Sequence, residues 1–260
     1  MIETLPIQAF TDNYIWAITD HIKVVVVDPG DATPVIEFLE SRNLELVGIL
    51  VTHYHPDHIG GIHTLLEKHP GIPVWAPANE AVPHATQRLV EGDTVQLPVG
   101  EILLNVLDVP GHTSGHIAYH GALESGQPIL FSGDTLFSSG CGRLFEGTPE
   151  QMLTSLKKFS ALPEDTLIYC THEYTLSNLA FAMAVEPENA DIQQRTIEVT
   201  TLRNENRPSI PCLLSSEKKV NPFLRWDSPL LKNSVEDWAD EKLEGETAIF
   251  AAVRRWKDCF

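Results

Sequence analysis

Three histidines and one aspartate lie within six positions of the sequence, from His53 to His58. Imidazole nitrogen and carboxylate oxygen are the ligands that a borderline divalent ion such as Zn²⁺ prefers. In an extended segment, side chains two residues apart point the same way, so His53 and His55 can converge on one ion. Asp57 and His58 follow a proline into what we expect to be the first turn of a helix, and they can face a second ion. Four ligands on so short a loop predict half of a two-metal site.

Three further segments carry ligand-like residues, each directly after an apolar run. They are residues 108–116, with His112, residues 131–135, with Asp134, and residues 171–174, with His172. Loops that leave strand ends gather at one edge of a sheet, where binding sites are commonly built. We therefore expect the four segments to meet and to supply five imidazoles and two carboxylates, namely His53, His55, His58, His112, His172, Asp57 and Asp134.

Seven protein ligands suit two divalent ions about 3.5–4 Å apart that share one bridging carboxylate. Asp134 is the bridging candidate, because it is the lone acid of its loop and lies between a glycine and a threonine. His116 is close enough to this set to contact a ligand or the backbone beside one; the alternative is a purely structural role. The other histidines are expected to be surface or core residues.

A two-metal site of this composition predicts hydrolysis. A bound divalent ion lowers the pKa of water from about 15.7 towards ~7, and a second ion can stabilise the oxyanion that forms. A thiolate leaving group, with an ordinary pKa of about 8.5, does not strictly need an acid to protonate it. Because Asp57 and Asp134 are committed to metal and the loops offer no further acid, a thioester substrate is favoured. The sequence has no Gly-x-Ser-x-Gly elbow and no Gly-x-x-x-x-Gly-Lys phosphate loop.

Composition and charge narrow the class of protein. The chain is 43% apolar and 21% charged, as expected for a soluble globular protein. No apolar run approaches the ~20 residues that span a bilayer, and the first residues resemble neither a signal peptide nor a transit sequence, so a cytoplasmic protein is predicted. The net charge of −18 argues against nucleic acid or an anionic membrane as partner. Residues 171–260 hold 11 of the 18 Lys and Arg, so the anchor for an anionic substrate is expected there.

The pattern of elements changes at about residue 170. Before it, apolar runs of strand length alternate with a few helices. Thr33-Pro34 is expected to begin one helix with Thr33 as N-cap, and Thr148–Gln151 forms a capping box. After Cys170, helical periodicity dominates. This order predicts two sheets covered by helices in residues 1–170 and a helical domain in residues 171–260.

Several of these motifs match a known family. His53-x-His55-x-Asp57-His58, followed by His112, Asp134 and His172, resembles the metallo-β-lactamase superfamily. The segments Gly-Cys-Gly-Arg-Leu-Phe-Glu-Gly at 140–147 and Thr-His-Glu-Tyr-Thr-Leu-Ser-Asn-Leu at 171–179 resemble glyoxalase II, the hydroxyacylglutathione hydrolase family. So do Val-Glu-Pro at 185–187 and Arg-Arg-Trp-Lys-Asp at 254–258. The resemblance covers essentially the whole chain.

The resemblance implies an α+β fold and a defined metal centre. The fold would be a four-layered αββα metallo-β-lactamase sandwich followed by a C-terminal helical domain that binds substrate. One ion would be held by three imidazoles and the other by a mixed set, while one carboxylate and a hydroxide bridge the two ions. The resemblance gives the three-imidazole set to His53, His55 and His112. It gives the mixed set to Asp57, His58 and His172, and the bridging carboxylate to Asp134. Asp57, His58 and Asp134 would then be catalytic, and Zn²⁺ is expected, although Fe and Mn²⁺ also suit these ligands.

The resemblance also implies a reaction. The substrate would be S-D-lactoylglutathione, cleaved to glutathione and D-lactate in the second step of methylglyoxal detoxification. Contacts to glutathione would come from Arg143, Tyr174, Arg254 and Lys257. Arg143 and Phe145 stand where relatives often have lysine and tyrosine, which affects the affinity for glutathione and not the reaction. We expect a monomer that acts on this small molecule.

Two alternatives to the thioester hydrolase would also use these ligands. A mononuclear-iron glutathione persulfide dioxygenase would share the fold, but the complete second ligand set and the long helical tail argue against it. A non-catalytic metal-binding scaffold would bind metal tightly, with both shells filled by protein and no open position.

Overall fold

The computed structural model describes residues 2–260, which contain two six-stranded sheets. The strands of the first sheet lie in chain order: β1 (Glu3–Ala9), β2 (Asn13–Thr19), β3 (Lys23–Val27), β4 (Glu45–Leu50), β5 (Val74–Pro77) and β6 (Gln87–Leu89). The first three strands pair antiparallel and the rest pair parallel. The parallel half places the ends of β4 and β5 at the same edge of the sheet.

The strands of the second sheet are, in order, β7 (Thr94–Gln96), β8 (Leu103–Asp108), β9 (Ile117–Ala122), β10 (Pro128–Gly133), β13 (Leu167–Cys170) and β14 (Cys212–Leu213). Between β10 and β13 in the chain, β11 (Leu136–Phe137) and β12 (Gly140–Cys141) form a separate hairpin. β10 and β13 are parallel, and the other pairs are antiparallel.

Nine α-helices complete the described residues. Four lie among the strands: α1 (Ala32–Arg42), α2 (Pro56–Ile59), α3 (Ile62–Lys68) and α4 (Pro149–Ser160). Five follow β13: α5 (Thr175–Val185), α6 (Ala190–Asn204), α7 (Leu214–Val220), α8 (Pro229–Ala239) and α9 (Glu246–Cys259), with a 3-10 turn at Pro222–Leu224. No helix in residues 2–260 is both long enough and apolar enough to cross a bilayer.

Alternation along β2 shows how the first sheet separates two cores. Trp16 and Ile18 face the core shared with the second sheet, whereas Ile15 and Ala17 face the core beneath α1 and α3. All four side chains are buried. A strand whose central positions are all apolar therefore packs on both faces, and such burial contributes about 25 cal/mol per Å² to stability.

Two helix starts test the predictions made from sequence. The capping box is confirmed: Thr148 Oγ1 accepts the Gln151 N–H at 3.2 Å, and the Gln151 side chain accepts the Thr148 N–H at 2.9 Å. The prediction of Thr33 as N-cap is wrong. Asp31 caps α1 by accepting the Thr33 N–H at 2.8 Å, because its carboxylate lies one residue before the first helical position.

Candidate metal centre

The four predicted loops meet at one edge of the sandwich. His53 follows β4, His112 follows β8, Asp134 follows β10 and His172 follows β13. Gly30 allows the neighbouring loop to approach closely, since a Cβ there would lie 1.8 Å from the Asp57 carbonyl oxygen. The sequence-predicted ligands are thereby brought into three overlapping groups, and the ligand atoms of each group lie within 4.8 Å of one another.

The first group consists of three imidazoles. Nδ1 of His55 lies 3.0 Å from Nε2 of His53 and 3.0 Å from Nε2 of His112. The extended backbone of His55 ends at Pro56, where α2 begins, so the two histidines of the loop converge as their spacing predicts. Three ring nitrogens this close can share one cation.

The second group mixes carboxylate and imidazole. Oδ2 of Asp57 lies 3.6 Å from Nε2 of His58 and 3.5 Å from Nε2 of His172. Asp57 and His58 lie in the first turn of α2, as predicted. His58 does not face away from the first pair as expected, because its ring centroid lies 4.0 Å from that of His53. Its ligand atom also groups with those of His53 and Asp134, so His58 lies where the two groups meet.

Asp134 lies between the two groups. Its Oδ1 is 3.4 Å from Nε2 of His58, and its Oδ2 is 3.4 Å from Nε2 of His112 and 3.3 Å from Nε2 of His172. The Asp134 side chain is 8% exposed. Its position between the groups is the one that a bridging ligand requires.

The protonation states of the histidines differ between the two groups. Burial lowers the pKa of His53 well below its ordinary value and also lowers the pKa values of His55 and His112. These rings are neutral near pH 7 and offer lone pairs, as metal ligands must. Burial opposes a charge on His58 too, but the carboxylates of Asp134 and Asp28 raise its pKa well above the ordinary value. A cation bound there would displace a proton.

The donor set fits a divalent cation. Nε2 of His58 and Oδ1 of Asp134 lie 3.4 Å apart at the buried centre of the cluster, without the geometry of a hydrogen bond to each other or to any other group. Unpaired buried polar atoms cost free energy, so such atoms normally have a partner. A borderline ion that accepts both nitrogen and oxygen would supply it.

Three residues that sequence analysis missed support the ligands. Asp12 Oδ1 lies 2.8 Å from Nδ1 of His172, and the Asn13 amide donates to Oδ2 of Asp57 at 3.0 Å. Asp28 accepts the Thr52 N–H and hydroxyl, both at 2.8 Å, and its Oδ2 lies 3.1 Å from Nδ1 of His58. Each is an Asp or Asn at a strand end or turn, which is the signal that could have pointed to them.

The His116 ring contacts the backbone of Asp134, one of the predicted ligands. Its Nε2 accepts the Asp134 N–H at 3.1 Å, and its ring stacks on that of His53 with centroids 4.6 Å apart. The ring is fully buried. Of the two roles considered from sequence, the contact beside a ligand is the one that the structure has.

Asp12→Ala is expected to weaken metal binding at the group that contains His172 by about 10- to 100-fold, because the imidazole loses the partner that orients it. Titration of the metal-loaded protein with a chelator would measure this. Asp20→Ala is a matched control, since Asp20 caps the exposed turn at the other end of β2. Equal metal retention by both variants would contradict this role for Asp12.

The predicted substrate residues line a cavity beside the ligands. It measures about 550 Å³ and is bordered by Arg143, Tyr174, Arg254, Lys257 and Phe145, together with Asp57 and Asp134. The Tyr174 ring stacks parallel to His172 at 4.7 Å, and Phe145 is 63% exposed at the rim. The structure therefore brings the predicted metal and substrate residues to one place.

Arg254 and Lys257 enter this cavity from one face of α9. Arg254 is 4% exposed; its Nη1 donates to the Cys141 carbonyl at 3.0 Å, and its Nη2 lies 2.9 Å from Asp258. Lys257 Nζ donates to the Ser177 carbonyl at 3.1 Å. Both cations are therefore held in place by the protein itself.

Comparison with known proteins covers the whole chain. Residues 10–172 match the family model described as the metallo-beta-lactamase superfamily, and residues 173–260 match that of the hydroxyacylglutathione hydrolase C-terminus. Proteins named hydroxyacylglutathione hydrolase from Cupriavidus metallidurans and Photobacterium profundum are 50% and 53% identical, each over 100% of both chains.

Solved structures agree on the fold. The crystal structure of ETHE1 from Myxococcus xanthus has a TM-score of 0.63 at 25% identity and covers 100% of this chain and 99% of its own. BLEG-1 B3 metallo-beta-lactamase has a TM-score of 0.60 at 23% identity over 86% of this chain and 99% of its own. The predicted α+β sandwich with a C-terminal helical region is confirmed. The chain belongs to the hydroxyacylglutathione hydrolase family of the metallo-β-lactamase superfamily.

Proposed function

We propose that the protein is a metal-dependent thioester hydrolase that cleaves S-D-lactoylglutathione, a 2-hydroxyacylglutathione, to glutathione and D-lactate, the second step of methylglyoxal detoxification. The observation that carries the proposal is a single cavity in which potential metal ligands face basic side chains. The names of the full-length relatives support the same substrate class.

Two divalent ions are part of the proposal, with Zn²⁺ as first candidate and Fe or Mn²⁺ compatible. The residues that would hold them are His53, His55 and His112, then Asp57, His58 and His172, with Asp134 shared. Such ions supply hydroxide at neutral pH by lowering the pKa of water, and they polarise the carbonyl under attack. Asp134 would keep the two sets in register, because its carboxylate lies beside both groups: Oδ2 is near His112 and His172, and Oδ1 is near His58.

The basic side chains of the cavity would bind the glutathione moiety. The chain as a whole carries a charge of −18, so an anionic substrate needs a local cluster of cations to bind. Arg143, Arg254 and Lys257 provide that cluster, and Tyr174 provides a phenol beside His172. This arrangement would place the thioester carbonyl over the ligands and the peptide over the cations.

The leaving group explains why the cavity needs no separate acid. The carboxyl groups that line it are Asp57 and Asp134, both proposed as ligands. A glutathione thiolate, with a pKa of about 8.5, can leave without protonation, whereas an amine or alkoxide would need a proton donor. A thioester is therefore the substrate best matched to these residues.

Hydrolysis of lactoylglutathione by metal-loaded and chelated protein tests the proposal. We expect turnover with metal, none after chelation, and recovery on adding Zn²⁺. A fully loaded protein without turnover would rule the proposal out. One iron per chain together with oxygen uptake would instead favour the dioxygenase alternative.

The affinity for substrate is expected to fall above about pH 8. Burial, together with the nearby charge of Arg254, lowers the pKa of Lys257 to about 8. The Lys257 ammonium is therefore present at pH 7 and is lost as the pH rises through 8. Its attraction for a carboxylate of the glutathione moiety is lost with it. KM should rise across this range, whereas kcat should change less, because bound carboxylate keeps Lys257 protonated.

Lys257→Arg is the matched control, since a guanidinium stays charged at every pH tested. The rise in KM between pH 7 and 9.5 should disappear in this variant. The same inflection in both proteins, or a wild-type KM that is independent of pH, would contradict the role of Lys257.

As part of this proposal, residues 1–170 supply six of the seven metal ligands, and residues 171–260 supply His172 and most of the substrate contacts. A monomeric state and a cytoplasmic location stay predictions.

A further inference from the structure

Two carboxylates outside the proposed ligand set join the loops that carry the imidazole group. Glu80 follows β5, in the first sheet, and is 8% exposed; Glu146 follows β12 and is exposed. Both reach the loop after β4 and the loop between β8 and β9. These loops come from different sheets, so any link between them spans the sandwich.

Glu80 accepts three hydrogen bonds from neutral donors. Its Oε2 accepts the Tyr54 N–H at 2.6 Å, and its Oε1 accepts the Thr113 hydroxyl and the Gly115 N–H, the latter at 3.2 Å. Tyr54 lies between two of the proposed ligands, and Thr113 directly follows the third. Hydrogen bonds to an ionised group are about twice as strong as neutral ones, so one buried carboxylate holds both loops firmly.

Glu146 repeats the pattern at the surface. Its two oxygens accept the Tyr54 hydroxyl and the Ser114 N–H, the latter at 2.8 Å. Tyr54 is thus held at its backbone by Glu80 and at its ring by Glu146. Gly115 permits the close approach on the buried side, since a Cβ there would lie 2.6 Å from Cγ of Glu80.

We infer that Glu80 is a positioning residue that sets the separation between the His53–His55 pair and His112. It would act through the two loops and not by touching metal or substrate. The inference rests on the proposed function only in requiring a metal at these three imidazoles. A cation is sensitive to such spacing, and loss of groups that orient ligands costs about 10- to 100-fold in metal affinity.

Glu80→Gln should release one of the two loops from residue 80 with little change in the shape of the side chain. The amide has one accepting oxygen and one NH₂ group, so the NH₂ group must face either the Tyr54 N–H or the Gly115 N–H. Two donors cannot bond, and one loop is released. Glu146→Gln is the matched control: its oxygen can keep the Ser114 N–H, while the Tyr54 hydroxyl rotates to accept from the amide.

The test is retention of Zn²⁺ by the full-length protein in graded chelator. We expect Glu80→Gln to release one ion at about 10- to 100-fold lower chelator concentration while the other ion is retained as in the wild type. Glu146→Gln should release both as the wild type does. Because this measurement involves no substrate, failure of the wild type to cleave lactoylglutathione would count against the proposed function and leave this result standing.

Activity supplies a second measurement. In Glu80→Gln, kcat should fall more than KM rises, and excess Zn²⁺ should restore part of kcat. Wild-type retention of both ions would overturn the inference, as would parallel loss of both ions, which indicates a general loss of stability. If Glu80→Gln does not fold, Thr113→Val, which removes one donor to the same carboxylate, should release the same single ion more readily. If Thr113→Val retained both ions as the wild type does, that result would overturn the inference.

Discussion

Asp134→Ala is expected to lose metal from both groups and to lower kcat by at least about 100-fold, the upper end of the cost for losing a group that only orients a ligand. The carboxylate lies between His58, His112 and His172, so its removal deprives both proposed ions of a ligand at once. It also removes the charge that offsets protonated histidines. The measurement is metal content per chain after gel filtration, paired with kcat for lactoylglutathione.

Asp108→Ala controls for the loss of an acid at a neighbouring strand end. Asp108 ends β8 and borders a different cavity, together with Pro110 and Lys158. This variant should keep its metal and its turnover. Two ions per chain and normal kcat in Asp134→Ala would count heavily against the bridging assignment.

Arg254→Ala is expected to raise KM by about 10- to 100-fold while kcat falls much less. A hydrogen bond to a charged group contributes about 1.5–3 kcal/mol, and each 1.4 kcal/mol is about tenfold in affinity. The guanidinium is already fixed by the Cys141 carbonyl, by Asp258 and by the Phe223 ring, 4.9 Å away, so a bound anion loses little entropy in reaching it. Loss of such uniform binding appears in KM.

Arg255→Ala separates this effect from a general loss of charge on α9. Arg255 is exposed and pairs with Glu241 at 2.7 Å. Its removal should leave KM near the wild-type value. A collapse of kcat with unchanged KM in Arg254→Ala would place Arg254 at the reacting atoms and contradict the anchoring role.

The convergence of the four ligand loops could be predicted because the strands that precede them could be predicted. Continuous apolar runs such as residues 24–27 indicate buried strands, and polar residues after such runs lie at strand ends. The grouping of the metal ligands within residues 53–58 followed from local geometry alone, because an extended backbone is followed there by a helical turn that begins at a proline. Both features depend on short-range physics, which a sequence displays directly.

The supporting residues were not predictable in the same way. Asp12 meets His172 across 160 positions of the chain, and Glu80 meets Thr113 across 33. A lone acid in a turn carries no mark of such a partner, because the contact exists only once two sheets pack. The strands β11, β12 and β14 are each two residues long, which is too short for hydrophobic periodicity to indicate them.

Arg254 illustrates a different limit. On an isolated helix, a cation in the last turns is most simply a partner of the helix dipole. The structure buries it against the β11–β12 hairpin, so its role depends on how the helical region packs and not on α9 itself. Only the family resemblance pointed to it in advance.

A crystal structure of the metal-loaded protein, with anomalous scattering measured at the metal absorption edge, tests the central claim most directly. We expect two separate peaks: one among His53, His55 and His112, the other among Asp57, His58 and His172, with Asp134 contacting both. A single peak, or a pair of peaks that Asp134 does not join, would contradict the account.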